Sequence, residues 1–222
     1  MIGTQARSAR QVDLPGIAGV LQEAFSEKLR LIFSNNPEKV RSLLEAIYTG
    51  PVQRGYDGVI VAERDGRIVG TLLIEPMYYT QRELRVFEHL AVRELGMPRM
   101  LWASFLLWLV GHKPEEGEAY ISDVGVAEDC RNEGVARLML EHAEIWARAH
   151  NRQRMTLWVA ASNEAAVHLY ESFGFAIKKT RSSWQTGTFL RIRRWYFMEK
   201  VVEVQVPDVD EQYAEETMSD AR

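Results

Sequence analysis

The stretch with most chemical content runs Asp123-Val-Gly-Val-Ala-Glu-Asp-Cys-Arg-Asn-Glu-Gly-Val-Ala136, an apolar run that enters a helical pattern through Arg131-x-x-Gly134-x-Ala136. A junction of this kind can bind an anion. The first turn of a helix carries unpaired N–H groups and the positive end of the helix dipole. Gly134 and Ala136 have too little side chain to keep a ligand from that backbone, so a pyrophosphate suits the environment. One Gly and one Ala after a strand also describe an ordinary tight strand-to-helix turn, and both readings stand on these residues alone.

Other chemistries find less support. The five histidines, at 89, 112, 142, 150 and 168, show no His-Glu-x-x-His or comparable spacing, so a metal site is not expected. His142 falls on the apolar stripe of its helix and reads as a packing residue. The single cysteine, Cys130, excludes an internal disulfide framework and a cysteine-cluster zinc site. Beside Arg131 it could gain reactivity, although a small, partly buried thiol is the simpler reading.

A chain of 222 residues with 26% charged and 46% apolar residues can bury one full core. Its formal net charge of -4 gives no general affinity for nucleic acid. Met1 to Arg10 lacks the apolar core of a signal peptide, so a cytoplasmic location is expected. Met100 to Val110 is strongly apolar but too short for a transmembrane span, which needs about 17 to 25 residues.

Elements must position these groups. Ala6 to Val12 reads as a strand, and Asp13 as the N-cap of a helix carrying Pro15, Ile17, Val20, Leu21 and Phe25. A second helix is expected from Asn36-Pro37 to a stop at Gly50, so that two helices precede the sheet. Two β-branched runs joined at Asp65-Gly66 predict a hairpin. Tyr120 to Val126 predicts a strand, followed by a helix with Val135, Leu138, Met139, His142, Ile145, Trp146 and Ala149 at helical spacing. Met155 to Val159 reads as a strand, Asn163 to Phe173 as a helix stopped by Gly174, and Phe175 to Thr180 and Arg191 to Met198 as strands. The order is mixed α/β in one domain, residues 1–200. Residues 78–117 read as a helical insertion between strands 3 and 4, with helices at Val86 to Leu95 and Pro98 to Val110 broken at Gly96-Met97-Pro98. Residues 201–222 are acidic and poor in apolar groups, so a disordered tail is expected.

Arg131-x-x-Gly134-x-Ala136 after a strand resembles the Gln/Arg-x-x-Gly-x-Gly/Ala signature of the GCN5-related N-acetyltransferase (GNAT) superfamily. Asn163-Glu-Ala-Ala166-Val-His-Leu-Tyr170-Glu-Ser-Phe-Gly174-Phe175 resembles its second motif, Asn-x-x-Ala, then Tyr, then Gly-Phe. The likeness covers roughly Ala6 to Lys200 apart from the insertion, and implies the acyl-CoA N-acyltransferase fold. It implies acetyl-CoA as co-substrate and no metal. By the same resemblance, the backbone of the Val124-Gly125-Val126 strand pairs with the pantetheine arm. The amides of Asn132, Glu133, Gly134, Val135, Ala136 and Arg137 cradle the pyrophosphate, and Asn163 and Ala166 line the far wall.

The resemblance offers Tyr170 as general acid; by itself Tyr170 also fits packing beside Ala166 and Phe173 on an amphipathic helix. Where some relatives carry a glutamate base, this chain has Tyr120. Asp123, on the opposite strand face from Val124 and Val126, and Glu75, at the hairpin's end, are the substitutes, either directly or through water. The expected acceptor is a primary amine of a small molecule or peptide, attacking directly in a ternary complex. The aromatic residues Tyr78, Tyr79, Phe87, Trp102, Phe105 and Trp108 could wall the acceptor site, form a homodimer interface or simply pack on the sheet. The competing reading is a non-catalytic acyl-CoA-binding module that engages a protein or membrane partner through residues 86–111.

Overall fold

A computed structural model of the chain describes residues 3–75 and 79–203. Its seven strands are β1 (Thr4–Ser8), β2 (Val59–Arg64), β3 (Arg67–Glu75), β4 (Glu118–Val126), β5 (Arg154–Ala160), β6 (Ala176–Ser182) and β7 (Arg194–Val201). They form one sheet in the order β1-β2-β3-β4-β5-β7-β6. The β2–β3 hairpin turns where expected, because Asp65 (φ 51°) and Gly66 (φ 77°) both take the left-handed conformation that matches strand twist. Every neighbouring pair is antiparallel except β4 and β5, which run parallel.

That parallel pair is short. Glu118–Ile121 of β4 pair with Arg154–Leu157 of β5, and the ladder stops there although β4 continues to Val126 and β5 to Ala160. Where it stops, Leu73 of β3 faces Asp123 and Ile74 faces Ile121, leaving Ser122 as an extra residue in β4. Such a bulge bends its strand and re-aims the following side chains. Below the bulge the pair is clamped by Glu118, only 1% exposed. Its carboxylate accepts from the Glu115 N–H (2.6 Å), from His112 Nε2 (3.0 Å) and from the Thr156 hydroxyl of β5. Burial alone would raise the Glu118 pKa, but these donors together hold it below the usual carboxylate range.

Helices cover both faces. On one lie α6 (Val135–Ala149) and α7 (Glu164–Ser172), with Met139, Leu140, Trp146 and Tyr170 in a core against Ile60, Leu72 and Met155. At Gly70 of β3 an added Cβ would come within 2.9 Å of Met139 and Val135, so α6 sits close only because no side chain intervenes. The other face carries α1 (Leu14–Ala24), α2 (Ser26–Ile32), α3 (Pro37–Gln53), α4 (Gln81–Leu95) and α5 (Met97–Val110) around Ile17, Leu43, Val61 and Leu106. A short α8 (Trp184–Phe189) joins β6 to β7. Among the described residues no helix is long and apolar enough to cross a membrane.

Several elements differ from the sequence expectation. β1 spans Thr4–Ser8 rather than Ala6 to Val12, and the Asp13 side chain does not cap α1. It accepts instead from Arg7 (2.6 and 2.9 Å) and from the Arg10 N–H (2.6 Å), because a partly buried arginine offers a charge-assisted pair that outcompetes a cap. Three helices, not two, lie between β1 and the hairpin, since α2 follows α1 directly. α3 runs through Gly50 and Pro51 to Gln53, where burial of Pro51 and Val52 offsets poor helix propensity. α4 starts at Gln81, five residues before Val86, because Thr80 and Glu83 form a capping box. On α6, Ile145 is 61% exposed and His142 only partly covered, so the core stripe runs through Leu140, Ala143 and Ala147 instead. Val201 ends β7 and Val202 is buried, while residues 204–222 of the expected tail lie outside the described residues.

Because the Glu118 carboxyl titrates lower in the folded than in the unfolded chain, its contribution is present above the unfolded pKa and lost as pH falls through the folded one. Glu118→Gln places an amide among the same donors. It is expected to cost about 1–3 kcal/mol in urea unfolding at pH 7, with the gap to wild type closing in acid; equal stabilities at pH 7 would contradict the clamp.

Candidate functional site

Where β4 and β5 part, a cavity of about 450 Å³ enters the molecule. Tyr120, Ser122, Asp123 and Val124 of β4 form one side, and Trp158, Val159 and Ala160 of β5, with Asn163, Ala166 and Tyr170, form the other. The β4 backbone faces this gap. The Ala127 N–H donates to Val69 O of β3 (2.9 Å), so alternation along the strand turns the polar groups of Gly125 toward β3 and those of Val124 and Val126 away from it, toward the opening.

β4 leaves the sheet through a 3-10 turn at Glu128–Cys130 and enters α6 through two left-handed residues, Asn132 (φ 62°) and Gly134 (φ 80°). No side chain caps the α6 N-terminus, so its first N–H groups are open to an anion. Val135 is buried and anchors the turn, Ala136 is partly covered, and Arg131, Asn132, Glu133 and Arg137 are exposed. The Glu133 carboxylate is drawn to Arg64 (2.7 Å), and Arg137 lies over the Phe173 ring (5.5 Å). Cys130 is buried, and burial first of all pushes its thiol pKa up. Its nearest guanidinium is that of Arg64 (3.8 Å) rather than Arg131, and it behaves as a packing residue. Across the gap, the Asn163 side chain accepts from the Ala166 N–H (3.3 Å) and so caps α7. Tyr170, one turn beyond Ala166, falls on the same helix face and also lines the cavity.

The chain matches the model of the Acetyltransferase (GNAT) family over residues 21–175. It belongs to that family. It is 38% identical over 85 residues to the N-acetyltransferase YdgE of Bacillus subtilis, covering 37% of this chain and 51% of that protein. It is 32% identical over 87 residues to the mycothiol acetyltransferase of Corynebacterium aurimucosum, covering 39% and 28%. The chain thus spans about half or less of the length of these curated relatives. Among solved structures, that of yncA from Salmonella typhimurium with acetyl-CoA superposes over 93% of this chain and 99% of that one, with a TM-score of 0.59 at 18% identity. The fold is therefore that of the GNAT acetyltransferases, with α4 and α5 lying between β3 and β4.

The cavity gathers several shifted titratable groups. Tyr170 is 7% exposed, and burial, then the charge of Asp123, push its pKa above the usual tyrosine range, so it stays a proton donor. Burial raises the Asp123 pKa, partly countered by Lys28, by Ser122 (3.4 Å) and by the Tyr48 hydroxyl. Burial and then Asp123 raise Glu75, whose residue pairs with Tyr120 across the β3–β4 ladder. Tyr48, Tyr79 and Tyr120 are shifted up as well, first by burial. The cavity thus joins two carboxylates inclined to accept a proton to phenols that retain theirs.

Lys28 and Tyr48 escaped sequence reading. Leu29 and Ile32, buried at helical spacing in Ser26–Ile32, were the available signal for α2. The expected aromatic wall forms only in part. Tyr79, Leu107 and Val110 reach the cavity, whereas Trp102 and Phe105 pack on Phe189 (5.2 and 6.0 Å), Phe87 packs against the α1–α3 core, and Trp108 is 76% exposed. Tyr78 lies outside the described residues.

A carboxyl whose pKa is raised by folding lends stability below its unfolded pKa and loses it as pH rises through the folded one. Glu75→Gln removes that loss. The variant is expected to melt above wild type at pH 8 and to lose this advantage near pH 4; a lower melting temperature at pH 8 would show that the ionised Glu75 is stabilised in its pocket.

Proposed function

We propose that this acetyltransferase moves an acetyl group from acetyl-CoA to a primary amine of a small molecule or peptide, by direct attack in a ternary complex. The observation that carries the reading is the parted β4–β5 edge. Its free Val124 and Val126 backbone groups match the amides of a pantetheine arm as they would a peptide strand. The uncapped turn from Asn132 to Arg137 fits a pyrophosphate at the same end of the split. Arg131 brings positive charge to the loop, and Asn163 and Ala166 form the opposite wall.

The residues then have distinct tasks. Asp123 or Glu75, directly or through water, takes a proton from the incoming ammonium, so that the nitrogen lone pair can attack the thioester carbonyl. The Val126 N–H meets the charge that builds on the carbonyl oxygen. As the new C–N bond forms and the C–S bond breaks, Tyr170 gives its proton to the departing sulfur and takes back the second proton that the acylated nitrogen sheds. The raised carboxyl pKa values suit proton acceptance, and Tyr170 enters the reaction as a protonated phenol.

A binding module without catalysis is the second reading, favoured by the exposure of Leu101 (61%) and Trp108 (76%) on α5. Thiol release from acetyl-CoA against a panel of amines separates the two. Turnover is expected, with kcat/KM rising with pH through a titration above the ordinary carboxylate range. Tyr170→Phe is expected to lower kcat by about 10²–10⁴ while the acetyl-CoA Kd stays within a few-fold. Gly134→Val should instead weaken acetyl-CoA binding, since valine resists the left-handed conformation. Tight acetyl-CoA binding with no thiol from any amine would favour the module.

A further inference from the structure

The cavity does not end below the β4–β5 split. It shares Phe25, Lys28, Ala160, Asn163, Leu190 and Ile192 with an outer groove of about 530 Å³ between α2 and the segment following α8. The two hollows adjoin at these six residues, and their linings, taken from Asp123 outward, change in chemistry. The inner end holds the carboxylates of Asp123 and Glu75. The middle is apolar, walled by Leu29, Phe33, Ile47 and Trp195. Lys28 stands at the junction, and Arg30 and Arg191, with the single carboxylate Glu27, border the mouth.

Lys28 is an incomplete site. Its ammonium lies over the rings of Phe25 (5.4 Å) and Trp195 (5.9 Å), and among the described residues no carboxylate comes within 4.0 Å and no hydrogen bond forms. Ring faces attract a cation but provide no oxygen for its three N–H donors. Burial lowers its pKa even against the pull of Asp123, as expected for a charge short of partners. Its place is nonetheless fixed, because Arg99 of α5 donates to Arg30 O (2.8 Å), Leu31 O (2.8 Å) and Phe33 O (2.7 Å) and so pins the end of α2.

The mouth is built as firmly. Arg191 adopts φ 59°, a left-handed conformation uncommon for a long side chain. Thr186, 2% exposed, holds it there. Thr186 O accepts from the N–H groups of Leu190 and Ile192 (3.0 Å each), while its hydroxyl donates to Ile192 O (2.7 Å) and accepts from Trp195 Nε1 (3.1 Å). Leu190 and Ile192 are thereby buried at the shared wall of the two hollows and Arg191 is left exposed at the rim. Backbone strain held by a buried hub beside a cavity is a feature of ligand clamps.

We propose that the acceptor belongs to the amino-acid class: its amine points at Asp123, its apolar side chain occupies the α2–α3 part of the cavity, and its carboxylate pairs with the Lys28 ammonium, with Arg191 at the rim. This rests on the acetyltransferase reading above and narrows it. A plain amine gives the Lys28 ammonium no oxyanion in hydrogen-bond contact, with only the more distant Asp123 charge to balance it, and a site built around a polar contact discriminates against ligands that lack it. A phosphate monoester offers the same oxyanion chemistry from another source.

Thiol release is measured with acetyl-CoA and matched acceptors: phenylalanine, leucine and tryptophan, each beside its decarboxylated amine, with phenylalanine amide and phenylalaninol phosphate as further arms. Wild type is expected to favour the acids over their decarboxylated amines by about ten-fold or more in kcat/KM. Lys28→Met should lower that ratio at least about ten-fold, mainly through KM, and Lys28→Arg should retain most of it. Preference for phenylalaninol phosphate over phenylalanine would assign the Lys28 site to phosphate and overturn the amino-acid class. Turnover of the plain amines with no acid preference, or a ratio unchanged in a folded Lys28→Met variant, would overturn the proposal and leave acetyl transfer standing. Acetyl-CoA binding in calorimetry with no thiol released from any acceptor would overturn both.

Discussion

The parallel register of β4 and β5 ends after Ile121 and Leu157, and the arrangement of the site follows from that ending. Two strands that part inside a sheet leave backbone donors and acceptors without a ladder, and such groups need a partner or water. The parting is fixed at its base by Glu118, which ties β4 to Thr156 of β5, and is steered by the Ser122 bulge opposite Leu73 and Ile74. The α7 cap at Asn163 and the two carboxylates line the same gap, and the uncapped turn into α6 follows the end of β4 that the parting frees.

The gap also sets the electrostatics. Burial raises the pKa of both Asp123 and Glu75, and the Asp123 charge raises that of Glu75 further. A protein selected for stability alone would place amides or apolar groups there. The carboxylates suit proton transfer, and the phenol of Tyr170, kept protonated by the same burial and the same Asp123 charge, suits the opposite direction. One environment therefore places carboxyls with raised pKa values beside a phenol that keeps its proton.

Much of this was legible from residues. Asp65-Gly66 demanded its hairpin because both positions take positive φ, and Gly134 marked the turn into α6 for the same reason. Tyr170, Asp123 and Glu75 were placed by motif and strand end, and all three line the one cavity. The register at which β4 and β5 part was not legible, since a bulge at Ser122 leaves no mark in a period-2 pattern. Nor were α2 and α8, of seven and six residues, whose stability comes from distant partners: Arg99 closes α2 from 66 to 69 residues away. Lys28 went unread with its helix. Asp13 misled because two uses of one carboxylate, capping a helix and pairing with Arg7, look the same in sequence.

Amide hydrogen exchange with and without coenzyme A tests the central claim most directly, because it reports on the parted edge itself. Val124 and Val126 should exchange fast in the free protein and slow on adding coenzyme A, together with amides from Asn132 to Arg137. Gly125 and Ala127, turned toward β3, should be protected in both states. Unchanged exchange at Val124 and Val126 in the saturated complex would contradict the account.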